Sequence, residues 1–150
     1  MAFPFSITYS IPLEDKIPDV QQALAFVNQT FTKKRADIIE TKTSQIIYNG
    51  SNSMLKTNIF FMVDKGLVEI IDNEKNTTII YRIELYTICI FAIISLIIAL
   101  ALAQHIWLTV SVFTSMFGGY VFSIFIRHYL LIKGIARNIN HLFKLNNISN

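Results

Sequence analysis

The sequence has few of the charged residues that keep a soluble protein in water. Charged residues make up 15% of its 150 positions, whereas an ordinary soluble domain carries roughly 25%. It contains a single cysteine, which excludes a disulfide scaffold. Hydrophobic residues account for 53% of the chain, which is too many for a disordered protein. The composition therefore indicates a membrane protein of about one domain.

Acidic residues are missing from the second part of the chain. All ten lie at or before Glu84, together with nine of the basic residues, so the first 84 positions are close to neutral. From position 85 onward there are four basic residues, and between Glu84 and Arg127 no residue carries a full charge. A charge-free span of this length is the strongest indication that part of the chain lies in a membrane.

Two apolar segments fill this span. Residues 85–103 and 106–126 are each close to the length of about 20 residues that a helix needs to cross a hydrocarbon core of about 30 Å. Gln104 and His105 lie between them as the one strongly polar pair. A single helix over 85–126 would measure about 60 Å, which is twice that thickness. The sequence therefore predicts a transmembrane hairpin of two helices joined by a very tight turn.

Basic residues near the helix ends predict the orientation of this hairpin. Arg82 precedes the first segment, Arg127, Lys133 and Arg137 follow the second, and the turn has no basic residue. Because Lys and Arg stay on the cytoplasmic side, we expect both termini in the cytoplasm and a location in a bacterial inner membrane. The abundance of Ile, Asn and Lys favours the bacterial source. Residues 1–30 lack the pattern of a signal peptide, so we expect the first membrane helix to direct insertion.

The first 84 residues have the pattern of a small cytoplasmic α+β domain. Residues 5–11 alternate apolar and small polar side chains, as in a half-buried strand. Residues 17–34 carry an apolar stripe at helical spacing, and Lys33, Lys34 and Arg35 are interpreted as helix-end charges rather than as a lipid or nucleic-acid contact. Segments rich in strand formers follow at 37–41, 45–48, 55–62, 67–72 and 77–83. This order predicts one helix packed on an antiparallel sheet.

The junction between this domain and the predicted hairpin is short. Glu84 alone separates the last predicted strand from the first apolar segment. A passive tether is usually longer and richer in Gly and Ser. The short junction therefore favours mechanical coupling between the domain and the membrane, although simple compactness would give the same spacing.

Small residues recur along one face of each predicted membrane helix. They are Ser111, Ser115, Gly118, Gly119 and Ser123 in the second helix, and Ala92, Ser95 and Ala99 in the first. Small residues let helix backbones approach closely. We expect these faces to pack the hairpin together, and one of them can also mediate assembly into a homo-oligomer or a larger membrane complex.

The tail, residues 127–150, combines an apolar and a basic helical face. The apolar positions are Leu131, Ile135, Ile139, Leu142 and Phe143, and the basic residues of the tail are Arg127, Lys133, Arg137 and Lys144. A basic amphipathic helix beside a membrane span is expected to lie along the anionic leaflet. These four basic residues would then contact lipid headgroups. The alternative is that the tail covers part of the cytoplasmic domain.

No motif in the sequence indicates catalysis. His105, His128 and His141 lie at a turn, a membrane boundary and a tail, without a carboxylate or cysteine at metal-ligand spacing. Phosphate-binding glycine loops and a nucleophile elbow are missing from the sequence. We therefore expect neither an enzyme nor a cofactor, a metal ion or a nucleic-acid partner.

Two functional interpretations remain. The leading one is a non-enzymatic integral membrane protein whose cytoplasmic domain binds a partner or a small-molecule ligand, with the hairpin as anchor and assembly element. The alternative is an oligomeric channel or membrane-disrupting effector that is gated by a ligand bound to this domain. The lack of acidic, basic and histidine side chains between Glu84 and His105 weakens the alternative, because carriers and relays place such groups inside the membrane.

Overall fold

The computed structural model describes residues 5–14, 16–50, 59–60, 63–73, 76–102 and 105–148. Along the chain the elements are β1 (Ser6–Pro12), α1 (Val20–Lys33), β2 (Asp37–Thr41), β3 (Gln45–Asn49), β4 (Lys65–Asp72), β5 (Thr77–Glu84), α2 (Tyr86–Leu102) and α3 (Ile106–Ile148). The predicted α+β class is confirmed, and the strand bounds agree with the prediction to within two residues. The predicted strand at 55–62 lies outside the described residues, except for 59 and 60, which form a turn.

The five strands form one antiparallel sheet in the order β1-β5-β4-β3-β2. Strands β2 to β5 follow one another as a meander, and β1 pairs with β5 along its whole length, from Ser6 opposite Glu84 to Pro12 opposite Thr78. Strands β1 and β2 are therefore the two edges. The end of the sheet that holds Ser6 and Glu84 is the end where β5 continues into α2.

Helix α1 begins later than the sequence pattern predicts. The Asp19 carboxylate accepts hydrogen bonds from the backbone N–H groups of Gln21 and Gln22, at 2.8 and 3.0 Å, so it caps a helix that starts at Val20. Ile17, placed in the helix by the prediction, is buried before it and donates its N–H to Thr77 Oγ1 at 3.2 Å. The predicted apolar stripe is confirmed, since Ala23, Leu24, Val27 and Phe31 are buried.

The second half of α3 covers the same sheet face as α1. Helix α3 runs from Ile106 to Ile148 as one element, and its buried side chains are Ile124, His128, Leu131, Ile132, Ile135, Ala136, Ile139 and Phe143. The tail therefore covers part of the α+β domain, which is the alternative placement given in the sequence analysis, and it continues the second apolar segment as one helix. The 14-residue α1 covers one part of the sheet face, and the tail's apolar stripe covers the part beside β1.

The first half of α3 and most of α2 project apolar side chains outward. Helix α3 is long and apolar enough over Ile106–Lys144 to cross a membrane, with a mean hydropathy of 1.6 in its most apolar window, of which 6% is buried. Trp107, which is 88% exposed, and Met116 are examples of these outward side chains. The 17-residue α2 is shorter and similarly apolar. Cys89 and Ala92 of α2 line an apolar cleft with Phe113 and Phe117 of α3.

Candidate functional site

Three hydrogen-bonded side chains join the sheet to α3 inside the core. The hydroxyl oxygens of Tyr48 and Tyr81 lie 2.7 Å apart, and the Tyr81 oxygen lies 2.6 Å from Nδ1 of His128. All three side chains are fully buried. Tyr48 comes from β3, Tyr81 from β5 and His128 from α3. We call these three residues the buried relay; it ties the segment that follows the apolar half of α3 to the centre of the sheet.

Gly66 on β4 makes room for this relay. Gly66 pairs with Tyr48 across the β3–β4 ladder, and a Cβ atom on Gly66 would lie 2.0 Å from Cζ of the Tyr48 ring. The ring therefore lies across β4, which separates β3 from β5, and its hydroxyl reaches Tyr81. A residue with any side chain at position 66 would push the ring out of this path.

Gly66→Ala is expected to destabilise the protein, whereas Gly134→Ala is expected to stabilise it. The added methyl group at 66 overlaps a buried ring, which costs about 1–3 kcal/mol. At Gly134, inside α3, a Cβ would meet nothing within 4 Å, and alanine is favoured over glycine by about 1 kcal/mol in a helix. Denaturant unfolding of the two variants in detergent gives the comparison. Equal changes of the same sign in the free energy of unfolding of the two variants would contradict this packing of Tyr48.

Burial keeps the relay uncharged at neutral pH. It raises the pKa of Tyr48 and of Tyr81 well above the ordinary value of a tyrosine. It also lowers the pKa of His128 to about 4, with the backbone of Ile59 partly opposing this shift. Protonation would place a charge at this site, so the relay is suited to holding α3 in place rather than to exchanging protons with a substrate.

Tyr9 attaches α3 to the edge strand one turn before His128. Its hydroxyl donates to the backbone carbonyl of Phe125 at 2.9 Å, and its ring lies 5.4 Å from that of Phe125 and 5.8 Å from that of Tyr81, measured between ring centroids. Burial raises the pKa of Tyr9 to about 12, so the hydroxyl stays a donor over the physiological range. The attachment lies where α3 changes from its exposed half to its buried half.

The connection from β5 to α2 is fixed by several hydrogen bonds. The Asp64 carboxylate accepts from the Thr87 N–H at 2.9 Å and from the Thr87 hydroxyl. The backbone N–H of Asp64 donates to the Glu84 carbonyl and that of Leu85 to the Phe5 carbonyl, each at 3.0 Å. Leu85 is buried and is the one residue between β5 and α2. The short junction predicted from the sequence is therefore held on both sides of Leu85.

The small-residue face of α3 points away from α2. Ser111, Ser115, Gly118 and Gly119 are exposed and Ser123 is half-buried, and a Cβ on either glycine would meet nothing within 4 Å. The expectation that this face packs against the first helix is wrong, because Phe113 and Phe117 line the cleft with α2 instead. On α2, Ala92 lines that cleft, Ser95 is exposed and Ala99 is half-buried. A role of these residues in assembly between copies remains a prediction.

Gly119→Leu is expected to leave the folded monomer intact and to weaken any assembly through this face. The leucine would project into open space in the monomer, while in a close helix–helix contact it would wedge the backbones apart. Thr114→Leu adds similar bulk at another exposed position of α3 and is the control. Native mass spectrometry in mild detergent measures the oligomeric state, and thermal unfolding in the same detergent measures the stability of the monomer. A lower monomer stability for Gly119→Leu alone would show that the face packs within one chain after all.

The four basic residues of the tail are exposed along α3. Their contact with lipid headgroups remains a prediction. Because the four residues lie at different distances along the helix from the apolar segment, the prediction differs among them. At about 1.5 Å per residue, Lys144 lies about 27 Å along the helix from position 126, whereas Arg127 adjoins it. Lys133 also places its ammonium group 5.7 Å from the centre of the Tyr129 ring. Headgroup contact is therefore expected for Arg127 first, and for Lys144 least.

A groove lies between the edge strand β1 and α3. It encloses about 470 Å³, which is within the range of about 300–1,000 Å³ of small-molecule sites. Its walls are Ile11, Pro12, Glu14, Leu130, Lys133, Gly134, Ala136, Arg137 and Asn140. Sequence reasoning missed this groove, because it forms only when residues 130–140 of α3 pack beside a strand that lies far away in the sequence.

Within the described residues, no three His, Cys, Asp or Glu side chains converge in a way that could hold a metal ion. The three histidines lie in different surroundings. His105 directly precedes α3 and is exposed, His128 belongs to the buried relay, and His141 is exposed on α3. Comparisons with protein-family models, curated proteins and solved structures found no match to this chain.

Proposed function

We propose that this chain is a non-enzymatic, two-pass membrane protein that displays a partner-binding α+β domain on the cytoplasmic side of a bacterial inner membrane. Helix α2 and the first half of α3 serve as the membrane anchor. The observation that carries the proposal is the continuity of α3, which is apolar and exposed over its first half and buried against the domain over its second.

The packing of α3 favours a return of the chain to its starting side. The domain precedes α2, and the second half of α3 packs on that same domain through Tyr9 and His128. If α2 leaves the domain into the membrane, the first half of α3 must bring the chain back. The positions of Arg82 and Arg127, at the two ends of this path, agree with a cytoplasmic location of the domain.

The groove between β1 and α3 is the proposed binding surface. β1 is an edge strand, and an extended segment of another protein can bind beside such an edge. Lys133 and Arg137 lie on the α3 side of the groove and Glu14 lies near β1. The two cations favour a partner segment that carries acidic side chains.

Two experiments test this function. Extraction of membranes at alkaline pH should leave the protein in the lipid fraction; release into the supernatant would contradict the anchor.

A photo-crosslinking residue at Asn140, in the groove, should give a discrete adduct in cells, whereas the same residue at exposed Gln29 on α1 should not. Adducts at neither position, or equally at both, would contradict the groove as binding surface.

The outward small-residue face of α3 supports the alternative of an oligomeric channel or membrane-disrupting effector. Ser115 donates its hydroxyl to the Ser111 carbonyl at 2.9 Å, so this hydroxyl has an acceptor within its own helix, and the face could border a polar path in an assembly. Ion flux through purified protein in liposomes tests the alternative. Flux that requires a cytosolic ligand would favour it over the anchored binding module.

A further inference from the structure

The domain presents an excess of positive charge at the end where β5 meets α2. The strand registers place Lys65 opposite Glu84 at this end. Asn49 pairs with Lys65, and Asp37 pairs with Asn49. The segment between α1 and β2 therefore lies at the same end. Basic residues at this end are Lys33, Lys34, Arg35, Lys65, Arg82 and Arg127, and acidic ones are Asp37, Asp64 and Glu84. Under the proposed function, this end faces the membrane.

A small cavity opens at this end on the sheet face that carries no helix. It measures about 170 Å³ and is lined by Ile47, Lys65, Gly66, Leu67, Arg82 and Glu84. The volume is below the range of about 300–1,000 Å³ that whole small-molecule ligands occupy. It suits a single small polar group. Ile47 and Leu67 supply its apolar side chains, and Lys65, Arg82 and Glu84 supply its charged ones.

Arg82 has hydrogen-bond donors that the protein leaves unused. Its Nε is buried and has no acceptor among the described residues, and its Nη2 reaches Ser6 Oγ only at 3.5 Å. Among the residues that the structure describes, neither Arg82 nor Lys65 forms an ion pair with a carboxylate. A guanidinium offers five donors in a planar fork, and a buried donor without an acceptor is costly enough to need an explanation.

We propose that Arg82 and Lys65 form a binding site for the phosphate group of an anionic membrane phospholipid. A phosphate in the cavity would accept a side-on pair of hydrogen bonds from Nε and Nη of Arg82, the geometry in which arginine binds phosphate best, after a small rotation of the half-buried side chain. Lys65 lies diagonally across the ladder from Arg82, and such diagonal neighbours are about 7–8 Å apart, so its ammonium group contacts the phosphate from the other side.

The position of the cavity favours a lipid over free phosphate as the source of this group. Arg82 and Glu84 are four and two residues before Tyr86, where α2 begins. Strand residues rise by about 3.3 Å each, so the cavity lies within about 15 Å of the start of α2, at the depth of the headgroup layer. Acyl chains of the bound lipid would run beside the apolar surface of α2. This inference rests on the proposed membrane anchor.

Binding of phosphatidylglycerol to the purified full-length protein in neutral detergent tests the site, with native mass spectrometry as the measurement. We expect Arg82→Gln to weaken binding about tenfold and Lys65→Gln, at an exposed position, to weaken it severalfold. Glu84→Gln removes a repulsive carboxylate from the same cavity and should tighten binding. Lys42→Gln makes the same charge change at the opposite end of the sheet and should leave it unchanged.

Two further ligands separate the sources of the phosphate. Diacylglycerol with the same acyl chains lacks the phosphate and should not bind in an Arg82-dependent way. Inorganic phosphate lacks the chains and should bind at least tenfold more weakly; equal affinity would overturn the lipid assignment. Equal weakening by Lys42→Gln and Lys65→Gln would show only general charge attraction and would overturn the site. If the protein stays in the membrane on alkaline extraction yet shows no Arg82-dependent lipid binding, this inference fails while the anchor stands.

Discussion

Replacing Ile132 by alanine is expected to lower the free energy of unfolding by about 3 kcal/mol, because the substitution opens a cavity where α3 packs on the sheet. Ile132 is fully buried and lies one turn beyond His128 on the same face of α3. The cost combines the lost transfer of the side chain from water with the cavity that remains. A domain of about 80 residues is only marginally stable by itself, so the loss of this contact should affect the whole domain.

Leu130→Ala is the matched control for this substitution. Leu130 lies two residues away on α3 but is 60% exposed, so its truncation should change stability by about 0.5 kcal/mol or less. Denaturant unfolding in mild detergent, followed by tyrosine fluorescence, compares the two variants. Hydrogen exchange should also rise in β1 and β5 of Ile132→Ala. An equal loss for both variants, or a loss without effect on the strands, would contradict the role of α3 as a part of the domain core.

Acidification is expected to destabilise the protein by about 3 kcal/mol through His128 alone. Burial lowers the pKa of His128 from 6.5 to about 4, so between these values the unfolded state binds a proton that the folded state does not. Stability is therefore complete above pH 6.5 and falls as the pH drops toward 4. Below that value both states are protonated at this site, and its contribution stops changing.

His128→Gln isolates this effect from the titration of carboxylates. Glutamine does not titrate, and its side-chain amide can replace Nδ1 as donor or acceptor in the hydrogen bond to the Tyr81 hydroxyl, which lies 2.6 Å from Nδ1 in the wild type. The free energy of unfolding of the variant should therefore fall less between pH 6.5 and pH 4 than that of the wild type. A difference between wild type and variant that is constant over this range would show that His128 is not held neutral by burial.

Local patterns in the sequence predict most of the domain's elements. The faultless alternation of residues 5–11 predicts β1, and the apolar stripe from Val20 to Phe31 predicts the buried face of α1. Such features depend on neighbours in the chain, so their physical cause is visible in the sequence. The start of α1 is predicted less well: the pattern places Asp19 inside the first turn, whereas Asp19 caps the helix by a contact with residues two and three positions later.

Features that depend on distant residues could not be predicted. The stripe of Leu131, Ile135 and Ile139 would suit a lipid surface and a sheet face equally well, and only the fold shows which one it covers. The relay of Tyr48, Tyr81 and His128 requires the registers of three strands and the angle of α3. The glycine at position 66 gives no local sign of the ring that lies against it.

The small-residue pattern of α3 shows a different limit of sequence reasoning. Ser111, Ser115 and Gly119 recur at the spacing of a helix contact, but the pattern does not say which surface they contact. In the structure the bulky Phe113 and Phe117 line the cleft with α2. The small residues are left for lipid or for another copy.

The most direct test of the account is the sidedness of two introduced cysteines in a Cys89→Ser background. His105→Cys lies between α2 and α3, and Thr43→Cys lies at the end of the sheet opposite to the start of α2; both positions are exposed. A thiol reagent that cannot cross membranes should label position 105 when it is added to intact cells, and position 43 only after the membrane that holds the protein is opened. Labelling of position 43 in intact cells with protection of 105 would reverse the orientation, and labelling of both would contradict a hairpin that crosses the membrane twice.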